Sequence, residues 1–484
     1  MTPSTAVLLA VLAVCAGVLA IAVVASRRTH NAADFLVANR RLGVWLTALG
    51  YSGNASSAWF LLIMGAAAFR WGWSAVWIWV AALLGCVING WYIAPRLRAL
   101  AVTGNAATLM QVLSADAGDR LQPLLVRSGF LILTVLLIGL MAGMLHDAGE
   151  IGAAYLGYSA GTVIVVGAVL VAACMLVGGV FAAGMTDALQ MGMALCVALF
   201  LLIPVVMLTN GWHALAVAFQ SLGPAATDPF GGRHGVVALA FAAGVSGLGL
   251  SMTGQVHAVG RYLAVRDEAA LRGARWLALV WTAVMFAAML ACGWGARVLY
   301  DGLTNPLHAP FAIASRILPP SLAAVLMVPL LAAVVLGIAG PLLTIAASAS
   351  VDLKRTTVPV ALLVTRATLA GAATLAVVIA LYGRSSLLDQ AVFAYTALGA
   401  AFGPLLLVCL SGKRIRPGSA LGAMWAGFTL SLLFHLLPDS PGDFLERVLP
   451  FVAALGIALT GGERRRNPDR ADRSQETVHD RVAI

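Results

Sequence analysis

Charge is what this sequence lacks most. Asp, Glu, Lys and Arg make up 10% of its 484 residues, against about 25% in a soluble globular domain. Its mean hydropathy is +0.94. That scarcity excludes a soluble fold and points to an integral membrane protein. Cysteine is scarce as well. Cys15, Cys86, Cys174, Cys196, Cys292 and Cys409 all fall in apolar runs, with neither metal-ligand spacing nor a disulfide framework. No nucleophile–base pair, phosphate-binding loop or metal cluster emerges, so no enzymatic chemistry, cofactor or resident metal is expected. The opening stretch MTPSTAVLLAVLAV lacks the basic residues of a secretion signal, and no small-residue cleavage site follows it. The first apolar run is therefore expected to stay in the mature chain.

What is present in abundance is apolar sequence in lengths that suit a bilayer, about 20 residues each. Thirteen candidate spans lie at roughly 5–26, 42–69, 74–95, 127–146, 160–182, 187–209, 235–263, 275–300, 320–349, 357–382, 387–411, 417–437 and 445–461. The net charge of +10 could suggest nucleic acid, but its distribution explains it otherwise. With thirteen spans and the amino terminus outside, 24 of the 30 Lys and Arg fall on cytoplasmic segments: 27–41, 96–127, 261–275, 352–366, 413–416 and the tail from 464. The positive-inside rule favours that orientation. No nucleic-acid partner is needed, and no protein partner is evident. The lipid bilayer is the only large partner implied.

The chain has no soluble domain. The external connection at 210–234 is too short for one, although its first half could lie as an interfacial helix. The tail at 462–484 is polar and without apolar periodicity, and reads as a disordered cytoplasmic end. Carrying a solute, conducting an ion and sensing a ligand are the jobs that remain. A sensor normally carries an output domain, so the spans themselves must discriminate.

Two spans carry the same polar interruption. The second contains Gly50-Tyr51-Ser52-Gly53-Asn54-Ala55-Ser56-Ser57, and the seventh Gly244-Val245-Ser246-Gly247-Leu248-Gly249-Leu250-Ser251, followed by Met252-Thr253-Gly254-Gln255. Glycine weakens a helix by roughly 1 kcal/mol relative to alanine. Paired interruptions at matching places in two halves point to a transporter binding site, although small residues also serve simple close packing. Span two starts inside and span seven outside. Spans 2–6 (residues 42–209) and 7–11 (235–411) then form a five-plus-five inverted repeat. Residues 1–41 and spans 12–13 (412–461) are peripheral.

Several strings resemble the sodium:solute symporter family, and its sodium/proline branch most. They are ADFLVANRRLGVWLTALGYSGNASSAWFLLIMGAA, VINGWYIAPRLRAL, GGVFAAGMTDALQ, GQVHAVGRYLAV and AAVVLGIAGPLLTIAASASVDL. Their order makes the resemblance specific over roughly residues 30 to 410. It implies an all-α LeuT-type fold with thirteen helices, an external amino terminus and an internal carboxyl terminus. It also implies secondary active transport of a small organic solute, such as proline, another amino acid or a small carboxylate, across the cytoplasmic membrane.

In that family sodium sits between the second and ninth helices, held by backbone carbonyls and a pair of hydroxyl residues. Carried over here, the backbone positions fall at Gly53, Ser56 and Ala333, and the hydroxyl pair falls on Leu336 and Gly337. An acidic residue of proline symporters falls on Ala55. Sodium is a hard cation that requires oxygen ligands, so the side-chain half of this site is missing and sodium coupling is in doubt. His257 is a titratable alternative, although a hydrogen-bonded polar residue is the plainer reading. His146, Asp147 and Glu150 fit a gate or a solvated helix end. Asp187 and Gln190 have capping-box spacing at the start of span six, while the resemblance assigns Asp187 to cation passage at a cytoplasmic gate. Arg96, Arg98 and Arg261 fit topology anchors. The expected solute contacts are Ser52, Asn54, Ser57, Trp59, Ser246, Ser251, Met252 and Gln255. A sensor or an ion-independent facilitator on the same fold is the alternative.

Overall fold

The computed structural model describes residues 3–464, apart from 56–57, 209–210, 212, 214–215, 218–219, 221–222, 301–302, 304, 354–357, 384–386 and 439. Among the described residues, ten helical segments are long and apolar enough to cross a bilayer. Two of these, Phe60–Thr103 and Ala160–Ile203, run to 44 residues. At 1.5 Å per residue that is about 66 Å, twice a ~30 Å hydrocarbon core. Each therefore holds a reversal, and a glycine with positive φ marks it: Gly72 at +63° and Gly179 at +55°. At Gly179 the backbone of Phe35 lies where a Cβ would stand, so no other residue fits the turn. Dividing both segments and adding the 12-residue helix Leu449–Thr460 yields the thirteen crossings expected.

The first crossing is α1 (Pro3–Ser26), followed by the short α2 (Ala32–Val37). Span two is α3 (Val44–Ala55) and α4 (Ala58–Trp71), and span three is α5 (Val76–Val87), a π-helical turn at Ile88–Ile93, and α6 (Ala94–Thr103). After α7 (Leu109–Ser114), span four is α8 (Gly118–Leu156); spans five and six are α9 (Ala160–Leu208). Span seven is α10 (Gly235–Ser251), which breaks into short turns over Met252–Ala264. Span eight is α11 (Glu268–Leu299). After α12 (Ala309–Ile317), span nine is α13 (Pro320–Leu336) and α14 (Ala339–Val351). Spans ten to thirteen are α15 (Val358–Tyr382), α16 (Leu387–Leu410), α17 (Pro417–His435) and α18 (Leu449–Thr460).

Three expectations are corrected. Span seven is continuous helix through Gly244–Ser251, and its interruption falls one turn later, at Met252–Gln255. Gly244 and Gly247 serve packing instead: the backbone at Gly442 and the Cβ of Arg447 sit where their side chains would stand. Asp187 does not cap span six, because the reversal at Gly179 lies two turns upstream and helix runs on through Asp187. The tail does not begin at Gly462 as loose chain. Gly462–Arg464 (β2) pairs antiparallel with Lys413–Ile415 (β1), with Lys413 opposite Arg464. Residues 465–484 lie outside those described, as does most of the interfacial helix expected within 210–234.

Candidate functional site

Polar side chains gather where spans two, three, six and seven meet. Asn54, Asn89, Gln255 and Arg261 each satisfy a neighbour's backbone or charge, as low-dielectric surroundings require. The π turn in span three carries Asn89, fully buried. Its Nδ2 donates to Tyr51 Oη (2.8 Å) and to the Met252 carbonyl (3.0 Å) freed by the break in span seven. Gln255 Nε2 donates to the carbonyls of Ser251 (2.9 Å) and Tyr395 (2.8 Å). Span seven is thus fastened to spans three and eleven at its interruption.

One turn further along, Arg261 Nη2 donates to Asp187 Oδ2 at 2.7 Å, with the two side chains 3% and 1% exposed. Arg261 is therefore no topology anchor but one half of a buried ion pair. Asn54 Nδ2 donates to the same carboxylate oxygen (2.9 Å) and to the Gly50 carbonyl (2.7 Å). A side chain at Gly53 would press on Asp187, 3.0 Å from its Cβ, which explains the glycine there. Gln190, one turn from Asp187 and on the same face, approaches the Gly53 carbonyl through Nε2 at 3.5 Å.

Four cavities lie in series through this cluster, and each neighbouring pair shares a wall residue. On the face that carries the basic segments, a cavity of about 1030 Å³ is lined by Gln111, Asp116, Arg127 and Asp352. Asp352 also borders the next, of about 60 Å³, with Thr108, Arg261, Thr344, Ser348 and His257. Thr108 Oγ1 donates to Asp352 Oδ1 (2.6 Å), and Ser348 donates to the other carboxylate oxygen. His257 in turn borders a central cavity of about 10 Å³ with Asn54, Ala55, Gly337 and Pro341. That is room for about one water molecule. Phe60 and Tyr395 close it toward the opposite face, stacked at 5.4 Å, and Tyr395 Oη donates to the Ala55 carbonyl (3.3 Å). The same two rings floor a fourth cavity of about 560 Å³ on that face.

The expected solute contacts are divided by this arrangement. Among the described residues, only Asn54 of these borders the central cavity. Ser52 is buried in the cluster, Ser251 is bonded to the Gly247 carbonyl, and Met252 and Gln255 fasten the break. Ser246 lies on continuous helix. Ser56, Ser57 and the Trp59 side chain fall outside the described residues. Of the sodium positions, Gly337 borders the central cavity, while Ala333 and Leu336 are buried in the core. His146 hydrogen-bonds the Ala380 carbonyl (3.2 Å). Phe60 and Tyr395 carry no sequence signal beyond being aromatic. The His257 ring bonds the Asn54 backbone, in keeping with a hydrogen-bonded polar residue, while Nδ1 is left buried without a partner.

Comparison with known proteins agrees with this architecture. The sodium:solute symporter family model matches residues 35–428. The chain is 29% identical over 447 residues to the high-affinity proline transporter PutP of Bacillus subtilis, covering 89% of this chain and 92% of that one. It is 26% identical over 421 residues to a sodium/proline symporter of Staphylococcus aureus, covering 82% and 80%. Among solved structures it superimposes on a Na+-coupled sialic acid symporter with a TM-score of 0.80, at 16% identity and covering 96% and 99%. It superimposes on Mhp1, a nucleobase-cation-symport-1 family transporter, with a TM-score of 0.55 at 14% identity, covering 89% and 94%. The fold is accordingly the LeuT-type inverted repeat. The chain belongs to the sodium:solute symporter family, and is a secondary transporter of a small organic solute.

Proposed function

We propose that the solute is an amino acid or another small carboxylate, with proline the first candidate, bound between Asn54, His257 and Tyr395 once the central cavity, here wide enough for only a water molecule, is widened by the opening of a neighbouring barrier. The series of four cavities supports this reading most directly. It describes a path broken at three thin places, and alternating access needs the Phe60–Tyr395 barrier to open in turn with those at His257 and Asp352. The positive-inside rule puts the basic face toward the cytoplasm of the inner membrane. The amino terminus is then outside and the carboxyl terminus inside. Two relatives that are proline transporters supply proline as the candidate.

Sodium is the family's ion, and the chemistry of the donors decides where it could rest. Leu336, Gly337 and Ala55 offer no side-chain oxygen. Asn54 Oδ1, Asp187 Oδ1 and Gln190 Oε1 are buried without hydrogen-bond partners, and all three side chains adjoin Gly53. These oxygens favour coordination from spans two and six over the usual contribution from span nine. Arg261 already balances the Asp187 charge, so the neutral amides must supply most of the attraction, and weak sodium binding is expected.

Uptake of radiolabelled proline, other amino acids and short carboxylates into proteoliposomes tests both parts, under a sodium gradient, a proton gradient or none. Accumulation above equilibrium that needs sodium and is lost in Gln190→Leu is the expected result. Uptake of none of these solutes in any condition overturns the solute assignment. Accumulation indifferent to sodium overturns the ion assignment alone.

A further inference from the structure

We propose that Arg447 anchors an outer binding site for the carboxylate of the solute, above the Phe60–Tyr395 constriction. The inference rests on the transport reading above and adds a second station to it. The segment between α17 and α18 does not skirt the protein surface. It folds through a short turn at Pro441–Asp443 and a helical turn at Phe444–Arg447, and packs on Gly244 and Gly247 of α10. Gly244 lies nine residues into that helix, about 14 Å from its start at 1.5 Å per residue. α18 has 12 residues, about 18 Å, which is short of a ~30 Å hydrocarbon core. The 441–448 stretch therefore dips into the membrane's thickness, where irregular backbone survives only against protein or a water-filled cavity.

The cavity it lines is the 560 Å³ one, whose charged lining is Arg70, Asp389, Asp443, Glu446 and Arg447. Arg447 is 8% exposed. Its Nη2 donates to Asp443, while Nε and Nη1 are buried with no partner. A buried guanidinium with two unmet nitrogens is costly. The edge formed by guanidinium nitrogens is a bidentate receptor for a carboxylate. The other acid beside it is engaged elsewhere, since Glu446 accepts from Thr396 Oγ1 (3.4 Å) and lies 3.2 Å from His435 Nδ1. Asp443, at φ +53° and 31% exposed, is the group that must yield. An arriving carboxylate takes the place of the Asp443 oxygen on Nη2 and pairs that nitrogen with Nε or Nη1, filling one of the two unmet positions. Asp389, exposed in the first turn of α16 and lining the same cavity, offers the opposite charge to an ammonium. A zwitterion of amino-acid size suits both ends.

The test uses full-length protein in proteoliposomes with radiolabelled L-proline, competed by unlabelled L-proline or by prolinamide, which lacks the carboxylate. Arg447→Gln is expected to raise KM at least tenfold with the maximal rate within twofold, and to abolish the preference for proline over prolinamide. Arg447→Lys should fall between. An unchanged KM and an unchanged preference in correctly inserted Arg447→Gln overturn the inference while the transport reading stands. Should Arg447→Gln fail to insert, Asp443→Asn decides: a KM lowered threefold or more supports the site, and an unchanged or raised KM counts against it. Wild-type protein that neither takes up nor binds L-proline, alanine or acetate overturns the transport reading and this inference together.

Discussion

Breaking the Asp187–Arg261 pair should destabilise the protein far more than removing it altogether. The pair joins span six to the interrupted end of span seven at 2.7 Å, with under 4% of either side chain exposed. Asn54 is the third member, donating to the same carboxylate oxygen. Substituting one partner leaves the other as an uncompensated charge in low dielectric, a loss of about 3–5 kcal/mol. Substituting both by neutral groups of similar shape removes the desolvation cost along with the attraction, and such replacements come out near neutral. The expected coupling in a double-mutant cycle of Asp187→Asn and Arg261→Gln is therefore about 3 kcal/mol. Large membrane proteins commonly unfold irreversibly, so the readout is the half-life of monodisperse protein in detergent at fixed temperature. Both singles should decay much faster than wild type, and the double variant should recover most of the loss. A double variant that decays as fast as the two single effects combined would show that the two charges do not depend on each other, and the reading of Arg261 would fall.

Two further outcomes follow from the same region. Asn54 Oδ1 occupies the space where a side chain at Gly340 would stand, and hydrogen bonds to Gly50 and Asp187 hold that amide in place. Gly340→Ala should cost about 1–3 kcal/mol by overpacking and slow proline uptake, and adding Asn54→Ala should restore the stability but not the uptake, because Asn54 also lines the solute cavity; no stability rescue in the double variant would argue against this contact. Asp352, just past α14, has its carboxyl pushed up from 3.8 to about 6 by burial, against the opposing pull of the Ser348 and Thr108 hydroxyls. The folded state then binds the proton more tightly than the unfolded chain, so this group's contribution to stability falls as pH rises from about 4 to 6. The same linkage governs the closed barrier, in which Asp352 is buried: the proton favours it closed, and ionisation favours a solvated carboxylate and an open one. The barrier between the two basic-face cavities should therefore loosen as pH rises through about 6. In inverted vesicles, maleimide labelling of Thr344→Cys, taken relative to an exposed cysteine on the same face, should rise with pH, and Asp352→Asn should label slowly at every pH. A pH profile in Asp352→Asn that matches the parent's would exclude Asp352 as the latch.

The crossings were legible in the sequence because they follow from composition: apolar length sets the spans. The site was legible only in part, since close packing between distant segments has no local signature. Gly-Val-Ser-Gly in span seven looked like a twin of Gly-Tyr-Ser-Gly in span two. Its glycines instead admit the 441–447 segment, some two hundred residues later in the chain. Arg261 was hidden among other basic residues at 261–275, where one arginine turning inward leaves the charge pattern unchanged. Asp187 and Gln190 posed the hardest ambiguity. An acid followed three residues later by Gln is a capping box if the chain has just reversed, and an inward-facing pair if it has not. The reversal is fixed by Gly179, where only a glycine can turn against the backbone of Phe35. The string GGVFAAGMTD offers three glycines for that turn, and which one makes it depends on α2, a segment outside span six altogether. Once Gly179 is the turn, Asp187 lies two turns into a helix whose inner face meets Gly53. The spacing that suggested a cap then aims both side chains at span two.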